Sequence, residues 1–430
     1  MYAELRARLE GLVTALPLPP GATIGVAVLD AGGAEVFTSR ADEPLLPAST
    51  EKLAVAASAL RTFGPGHRFV TRVRVTAAVG PDGTLAGDLV LVGGGDPVLA
   101  SPLFAGQIEP DRPSTPLAAL ADQVAAAGIR RVTGRLLGDG SAYADEPLPN
   151  GWVDEYLAEL EGVRTGALTV DAGRALGVRD GRVVGDPEPD PALRAAIQLS
   201  GLLAERGVVV DGGFASTRTP PRTVLEVGRV ESPPLAELLT YVVQRSDNQM
   251  ADQIFRAVGA RAGAPTWEGA ARATSGVLDE LGVDASAAVL ADGSGLSRDN
   301  RVSARLLATL DLAMTSADPA WPPLQAVAGE SGTLSRRLRG TVAEGRLRGK
   351  TGSLRDVRAL AGAVEGRGGE RYHLAVVGNG LDGPATAAVR DLSDALVLAL
   401  AEDLYDCVPV PLPPPVAGSP PPAPQLECAA

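Results

Sequence analysis

The chain has 430 residues, more than one hydrophobic core usually organises, so two or three lobes are expected. Apolar residues make up 45% of it and aromatics only 3%, so the core must be built from Ala, Val and Leu. A net charge of −13, with no basic run, argues against a nucleic-acid partner, because a polyanion would be repelled.

Taken in chain order, the start "MYAELRARLEGLVTALPLPPGA" has no apolar run long enough for a signal-peptide core or a membrane span, so a soluble chain without a visible address is expected. "ATIGVAVLDAGGAEVFTS" (22–39) gives two β-rich runs around Ala31-Gly32-Gly33 and reads as a hairpin. Ser49 and Thr50 then suit a helix start, and Leu53, Ala56, Ala57 and Leu60 form one apolar stripe behind them. Residues 69–92 alternate about Pro81-Asp82-Gly83 as a second hairpin. "LVGGGDPVL" is glycine-rich but lacks the lysine of a phosphate loop and reads as a tight turn. Two helix-then-strand units follow, from 115 with a stop at Gly128 and from 190, too dissimilar in sequence to read as a repeat. The pattern is helical from Ser232 to Gly282, returns to strands at 344–366 and 370–380, and ends in an amphipathic helix from about Thr386 to Tyr405. Residues 407–430 are Pro-dense and read as an extended tail outside the fold.

Lysine usage marks the chemistry. Of 39 Lys and Arg residues only Lys52 and Lys350 are lysine, and an ammonium gives up its proton where a guanidinium does not. Codon bias accounts for the arginines but not for the two positions that escaped it. On a helix Ser49 and Lys52 are i, i+3 neighbours, so the amine can serve as the base that activates the hydroxyl. That requires the Lys52 pKa to fall from about 10.4 towards roughly 7 to 8 through burial and a nearby positive charge, which Lys350 could supply. Alone, a Ser-x-x-Lys pair is weak evidence and is better explained as part of a capped surface helix. Other constellations are poorer. His67 and His373 are the only histidines, expected as a cap or surface contact and as a satisfied sheet residue, and no serine sits in a nucleophile elbow. Cys407 and Cys428 lack CxxC spacing, which leaves free thiols or a tail disulfide rather than a zinc or redox site. "DGSGLSRDN" (292–300) lacks the bidentate acid of a calcium loop and reads as a cleft-side turn.

"RSDNQMADQ" adds Ser246-Asp247-Asn248 and "RLRGKTGSL" adds Lys350-Thr351-Gly352 on an expected strand. With Ser49-x-x-Lys52 they form, in order, the motif triple of penicillin-binding proteins and serine β-lactamases. Together with "PASTEKL", "GDLVLVGGGDPVL", "SPPLAELLTYVVQRSDN", "DGSGLSRDNRVS" and "GKTGSLRDVRALAG", they make the chain resemble the D-alanyl-D-alanine carboxypeptidase/endopeptidase family of low-molecular-mass penicillin-binding proteins over roughly residues 20–400. Ser49 and Ser246 stand 197 residues apart and Ser246 and Lys350 only 104, so a module is inserted between the first two motifs.

The resemblance implies an α+β, serine β-lactamase/transpeptidase-like domain, with an antiparallel sheet flanked by helices plus a helical lobe, over 20–68 and 231–406. The β-rich and α/β insert occupies 69–230. It further implies Ser49 as nucleophile, Lys52 as its base, Ser246 as proton relay to the leaving amine beside Lys350, and Asn248 as a steadying contact to Lys52 and a donor to substrate. Thr351 would bind the substrate carboxylate, Gly352 would let the substrate backbone approach, and the N–H of Ser353 would join that of Ser49 in an oxyanion hole. Peptidoglycan stem peptides are the implied substrate, β-lactams the implied covalent inhibitors, and no cofactor or metal is implied. A β-lactamase or esterase, and a non-catalytic wall-binding protein, remain alternatives. The family works outside the cytoplasmic membrane, so an extracytoplasmic location is expected although no export signal is visible.

Overall fold

A computed structural model describes residues 2–146, 148–179, 182–409 and 426–427, and the chain divides into two compact units. The first comprises residues 1–53, 281–288 and 301–430, the second 54–280 and 289–300. The Pro-dense tail lies outside the described residues from 410 to 425 and from 428 onward.

The first unit is organised by an antiparallel sheet whose spatial order is Ala326–Val327, Leu347–Leu354, Val357–Glu365, Arg371–Asn379, Thr23–Asp30 and Glu35–Ser39. Thr23–Asp30 and Arg371–Asn379 are central and buried on both faces, which is why they read as nearly continuous apolar runs. The first hairpin turns where expected. The Asp30 carboxylate accepts from the N–H groups of Gly32 and Ala34, both at 2.9 Å, and Gly33 takes the left-handed conformation at φ 84°. Tyr372, Leu374 and Val376 face one side of the sheet, where they join Leu5, Leu9, Val389, Leu396 and Leu400 of helices Ala3–Thr14 and Gly383–Leu404. The opposite face carries His373, whose Nδ1 lies 2.7 Å from Asp311 Oδ2 on helix Ala304–Ala317. That carboxylate also accepts from Trp321 Nε1 and Gln325 Nε2, so His373 is a satisfied sheet residue.

The second unit contains helices Leu235–Arg245, Asn248–Arg261 and Trp267–Glu280, and a separate apolar cluster confined to residues 73–230. Val70–Val75 and Leu89–Val92 pair antiparallel as the second hairpin. The two helix-then-strand units run through the same order of elements. Helix Leu117–Ala126 leads to strands Arg131–Val132 and Leu136–Asp139, and helix Pro191–Glu205 to Val209–Val210 and Phe214–Thr217. Corresponding strands pair parallel, Arg131 with Val209 and Leu136 with Phe214, both at a separation of 78 residues. The sequences hide this because a buried Ala/Leu/Val face tolerates many substitutions that keep its volume. The glycine-rich stretch is a turn, as expected, with Gly95 at φ 82° and the Asp96 carboxylate accepting from Val98 N–H at 2.9 Å. Among the described residues no helix is long and apolar enough to cross a membrane.

Candidate active site

Ser49 does not cap the α-helix, as its residue type suggested. Ala48–Glu51 form a 3₁₀ turn, no side chain caps it, and the α-helix Lys52–Phe63 begins only with the lysine. The turn is entered through Ala48 at φ 46°, a left-handed conformation that costs a non-glycine residue about 1–2 kcal/mol. Two contacts offset that cost. Thr50 Oγ1 donates to Pro47 O at 2.7 Å, and Ala48 is buried against Leu46 and Val357. The strained turn thereby fixes the direction of the Ser49 side chain. Lys52 Nζ donates to Ser49 Oγ at 2.9 Å, and Lys52 itself is fully buried.

Lys350 lies on strand Leu347–Leu354, which pairs along its length with Val357–Glu365, Lys350 opposite Ala361. It too is fully buried, and its Nζ donates to Thr351 O at 2.7 Å. Burial pushes the Lys350 ammonium well below the ordinary lysine range, and the charge of Lys52 pushes it the same way. A Cβ on Gly352 would stand 2.7 Å from Pro47 O and 3.2 Å from Ala48 Cβ, so the glycine lets the strand lie directly against the Ser49 turn. Thr351 Oγ1 donates to Thr333 Oγ1 at 2.7 Å, and Ser353 is exposed, opposite Arg358 in the sheet. Ala326–Val327 pairs only with Gly349 and Arg348. Among the described residues, the strand's other edge from Lys350 to Leu354 therefore has no neighbouring strand.

The second motif belongs to the second unit. Ser246 ends helix Leu235–Arg245 in the left-handed conformation, φ 64° and ψ 36°. Asp247 caps helix Asn248–Arg261 by accepting from Met250 N–H at 2.8 Å, so the helix break sets the directions of Ser246 and Asn248. The Asn248 amide donates to Glu161 O at 2.9 Å and to Glu161 Oε2 at 3.1 Å, a partner the sequence reading did not find. Arg112, also unforeseen, pairs with Asp247 and Gln249. Residues 246–249 border a cleft of about 370 Å³ that is also lined by Arg112, Glu159, Glu161 and Arg174.

The remaining candidates are structural. Asp292 is buried and accepts from Gly295 N–H, Ser297 N–H, Asn300 Nδ2 and Trp152 Nε1 at 2.7–2.9 Å, which ties the "DGSGLSRDN" loop into a turn. His67 stacks on Phe63 with ring centroids 4.6 Å apart, and burial followed by the charge of Arg261 lowers its pKa. Cys407 is disulfide-bonded; Cys428 lies outside the described residues.

A serine whose hydroxyl holds a buried lysine amine, with a second buried lysine on an adjoining strand edge, defines a serine hydrolase of the penicillin-binding and β-lactamase type. Residues 5–188 and 188–402 match the D-Ala-D-Ala carboxypeptidase 3 (S13) family, and the chain belongs to it. It is 32% identical to a D-alanyl-D-alanine carboxypeptidase of Actinomadura sp., over 93% of this chain and 85% of that one. It is 34% identical to carboxypeptidase DacB of Mycolicibacterium smegmatis, over 90% and 82%. The fold matches penicillin binding protein 4 (dacB) of Haemophilus influenzae with a TM-score of 0.77 at 22% identity, covering 90% of this chain and 99% of that one. The family brings DD-carboxypeptidase or endopeptidase activity on peptidoglycan, through a serine, and sensitivity to β-lactams.

Proposed function

We propose that the protein hydrolyses the D-Ala-D-Ala bond of peptidoglycan stem peptides, and the D-Ala-diaminopimelate bond of cross-links, through an acyl-enzyme on Ser49. The observation that carries this is the 2.9 Å contact of Lys52 Nζ with Ser49 Oγ, both held by a strained turn beside the buried Lys350. Ser49 Oγ attacks the carbonyl carbon of the penultimate D-Ala while its proton passes to Lys52 Nζ. The tetrahedral intermediate expels the amine of the terminal residue, which takes up a proton by way of Ser246. Water then cleaves the ester, freeing the shortened peptide and restoring the hydroxyl. Asn248 donates to the substrate's peptide carbonyl and Thr351 binds its carboxylate. The bare edge of the Lys350 strand suits an extended peptide that adds as a further strand. The N–H groups of Ser49 and Ser353 stabilise the oxyanion, which is ordinarily worth about 10²–10³ in rate per donor.

The disulfide at Cys407 supports an extracytoplasmic location, since such bonds persist in oxidising compartments. Product analysis tests the reading. Release of D-Ala from a D-Ala-D-Ala pentapeptide and of monomers from cross-linked dimers is expected, and both should stop in Ser49→Ala. Turnover of neither substrate by the wild type would overturn it.

A further inference from the structure

Arg112 is buried in the inserted module, with its side chain 4% exposed, and it reaches the second motif from 135 residues upstream. One guanidinium touches the break between two helices at three successive places. It lies over the Tyr241 ring of the helix before the break, 5.8 Å from the centroid. Nη1 pairs with Asp247 Oδ2 within the break, and Nη2 donates to Gln249 Oε1 at 2.5 Å in the first turn of the helix after it. Glu109 holds the same guanidinium from its own side, Oε2 standing 3.3 Å from Nη1, and Glu109 is itself held by Arg174 at 2.8 Å.

The break needs this support. Ser246 sits at φ 64°, which a non-glycine residue keeps only where its surroundings over-determine it. Asp247 Oδ1 is occupied by the helix cap at Met250, so Oδ2 is the oxygen left to anchor the turn to the rest of the unit. A planar fork with fixed donor directions binds a carboxylate and an amide oxygen together, which a single ammonium does not.

We propose that Arg112 is a positioning residue for Ser246 and Asn248, through which the inserted module sets the geometry of the second motif. This rests on the reading above, in which those two residues act on the substrate. Displacing such groups by about 1 Å costs on the order of 10²-fold in rate.

The test uses the full chain, with acylation by a fluorescent penicillin and kcat and KM on a D-Ala-D-Ala peptide. Arg112→Met should lower acylation and kcat about 10- to 100-fold. KM should move little and the circular dichroism spectrum should be unchanged. Arg112→Lys should recover part of the loss by keeping the pair with Asp247. Gln249→Leu, which removes one partner and leaves the arginine in place, serves if Arg112→Met fails to fold, and should show a smaller fall in kcat. The decisive readout is coupling. In a Ser246→Ala/Asn248→Ala background, Arg112→Met should cost little further, because the groups it positions are gone. Near wild-type acylation by Arg112→Met and Gln249→Leu, or a full additional loss in that background, overturns the positioning role alone. If Ser246→Ala and Asn248→Ala themselves acylate at the wild-type rate, the catalytic reading falls, and this proposal with it.

Discussion

Replacing Lys52 with arginine preserves the positive charge and removes the ability to accept a proton. In the structure Lys52 Nζ is 2.9 Å from Ser49 Oγ and the lysine side chain is fully buried, which makes the amine the base in direct contact with the hydroxyl. General-base catalysis ordinarily contributes about 10²–10⁴ in rate, equivalent to about 2.7–5.4 kcal/mol of barrier. Lys52→Arg should therefore acylate about 10²–10⁴ times more slowly than wild type, and within about tenfold of Lys52→Ala. The assay is the second-order rate of labelling by a fluorescent penicillin, with circular dichroism to confirm that each variant folds. A folded Lys52→Arg variant labelled at near the wild-type rate would refute proton transfer to Lys52, and would mean that charge alone activates the serine.

Other substitutions probe the same machinery from different directions. Gly352→Ala places a Cβ 2.7 Å from Pro47 O, and forcing the strand off the turn should cost about 1–3 kcal/mol of stability and slow acylation; an unchanged midpoint in urea would contradict the close approach. Lys350 is buried with its pKa depressed, so burying its charge costs stability that is present above the unfolded lysine value near 10.4 and lost as pH falls through the folded one. Lys350→Met should therefore abolish activity yet be more stable than wild type at pH 7, with the gain shrinking toward pH 10; a destabilised variant at pH 7 would count against this. Burial raises the Asp96 carboxyl to about 6, so the native state holds its proton more tightly than the unfolded chain, whose value is near 3.9. Its contribution to stability is present below about pH 4 and lost as pH rises through about 6. Asp96→Asn should gain on wild type by roughly 3 kcal/mol between pH 4 and 7, read from urea unfolding, and a flat difference would refute it.

Much of the fold and of the site was legible because it is local. Ser49 and Lys52 are one helical turn apart, the hairpin at Gly33 carries its own turn chemistry, and the strand Leu347–Leu354 carries Lys350, Thr351, Gly352 and Ser353 together. What escaped depends on residues distant in sequence or on backbone angles that residue types do not announce. Alanine at position 48 gives no hint of φ 46°, so the residue types at 49 and 50 suit a helix start where the backbone makes a 3₁₀ turn. Ser246 gives no hint of φ 64°. Arg112 is one of many arginines, and nothing near it in sequence points to Asp247. Glu161 follows Leu160, itself left-handed at φ 58°, and meets Asn248 across 87 residues.

In the proposed mechanism the hydroxyl of Ser49 becomes the acylated nucleophile. Intact-protein and peptide mass spectrometry after exposure to benzylpenicillin tests it most directly. One penicilloyl group per chain, carried by the peptide that contains Ser49 and missing from Ser49→Ala, is the predicted result. An adduct on a different residue, or one that persists in Ser49→Ala, would contradict it.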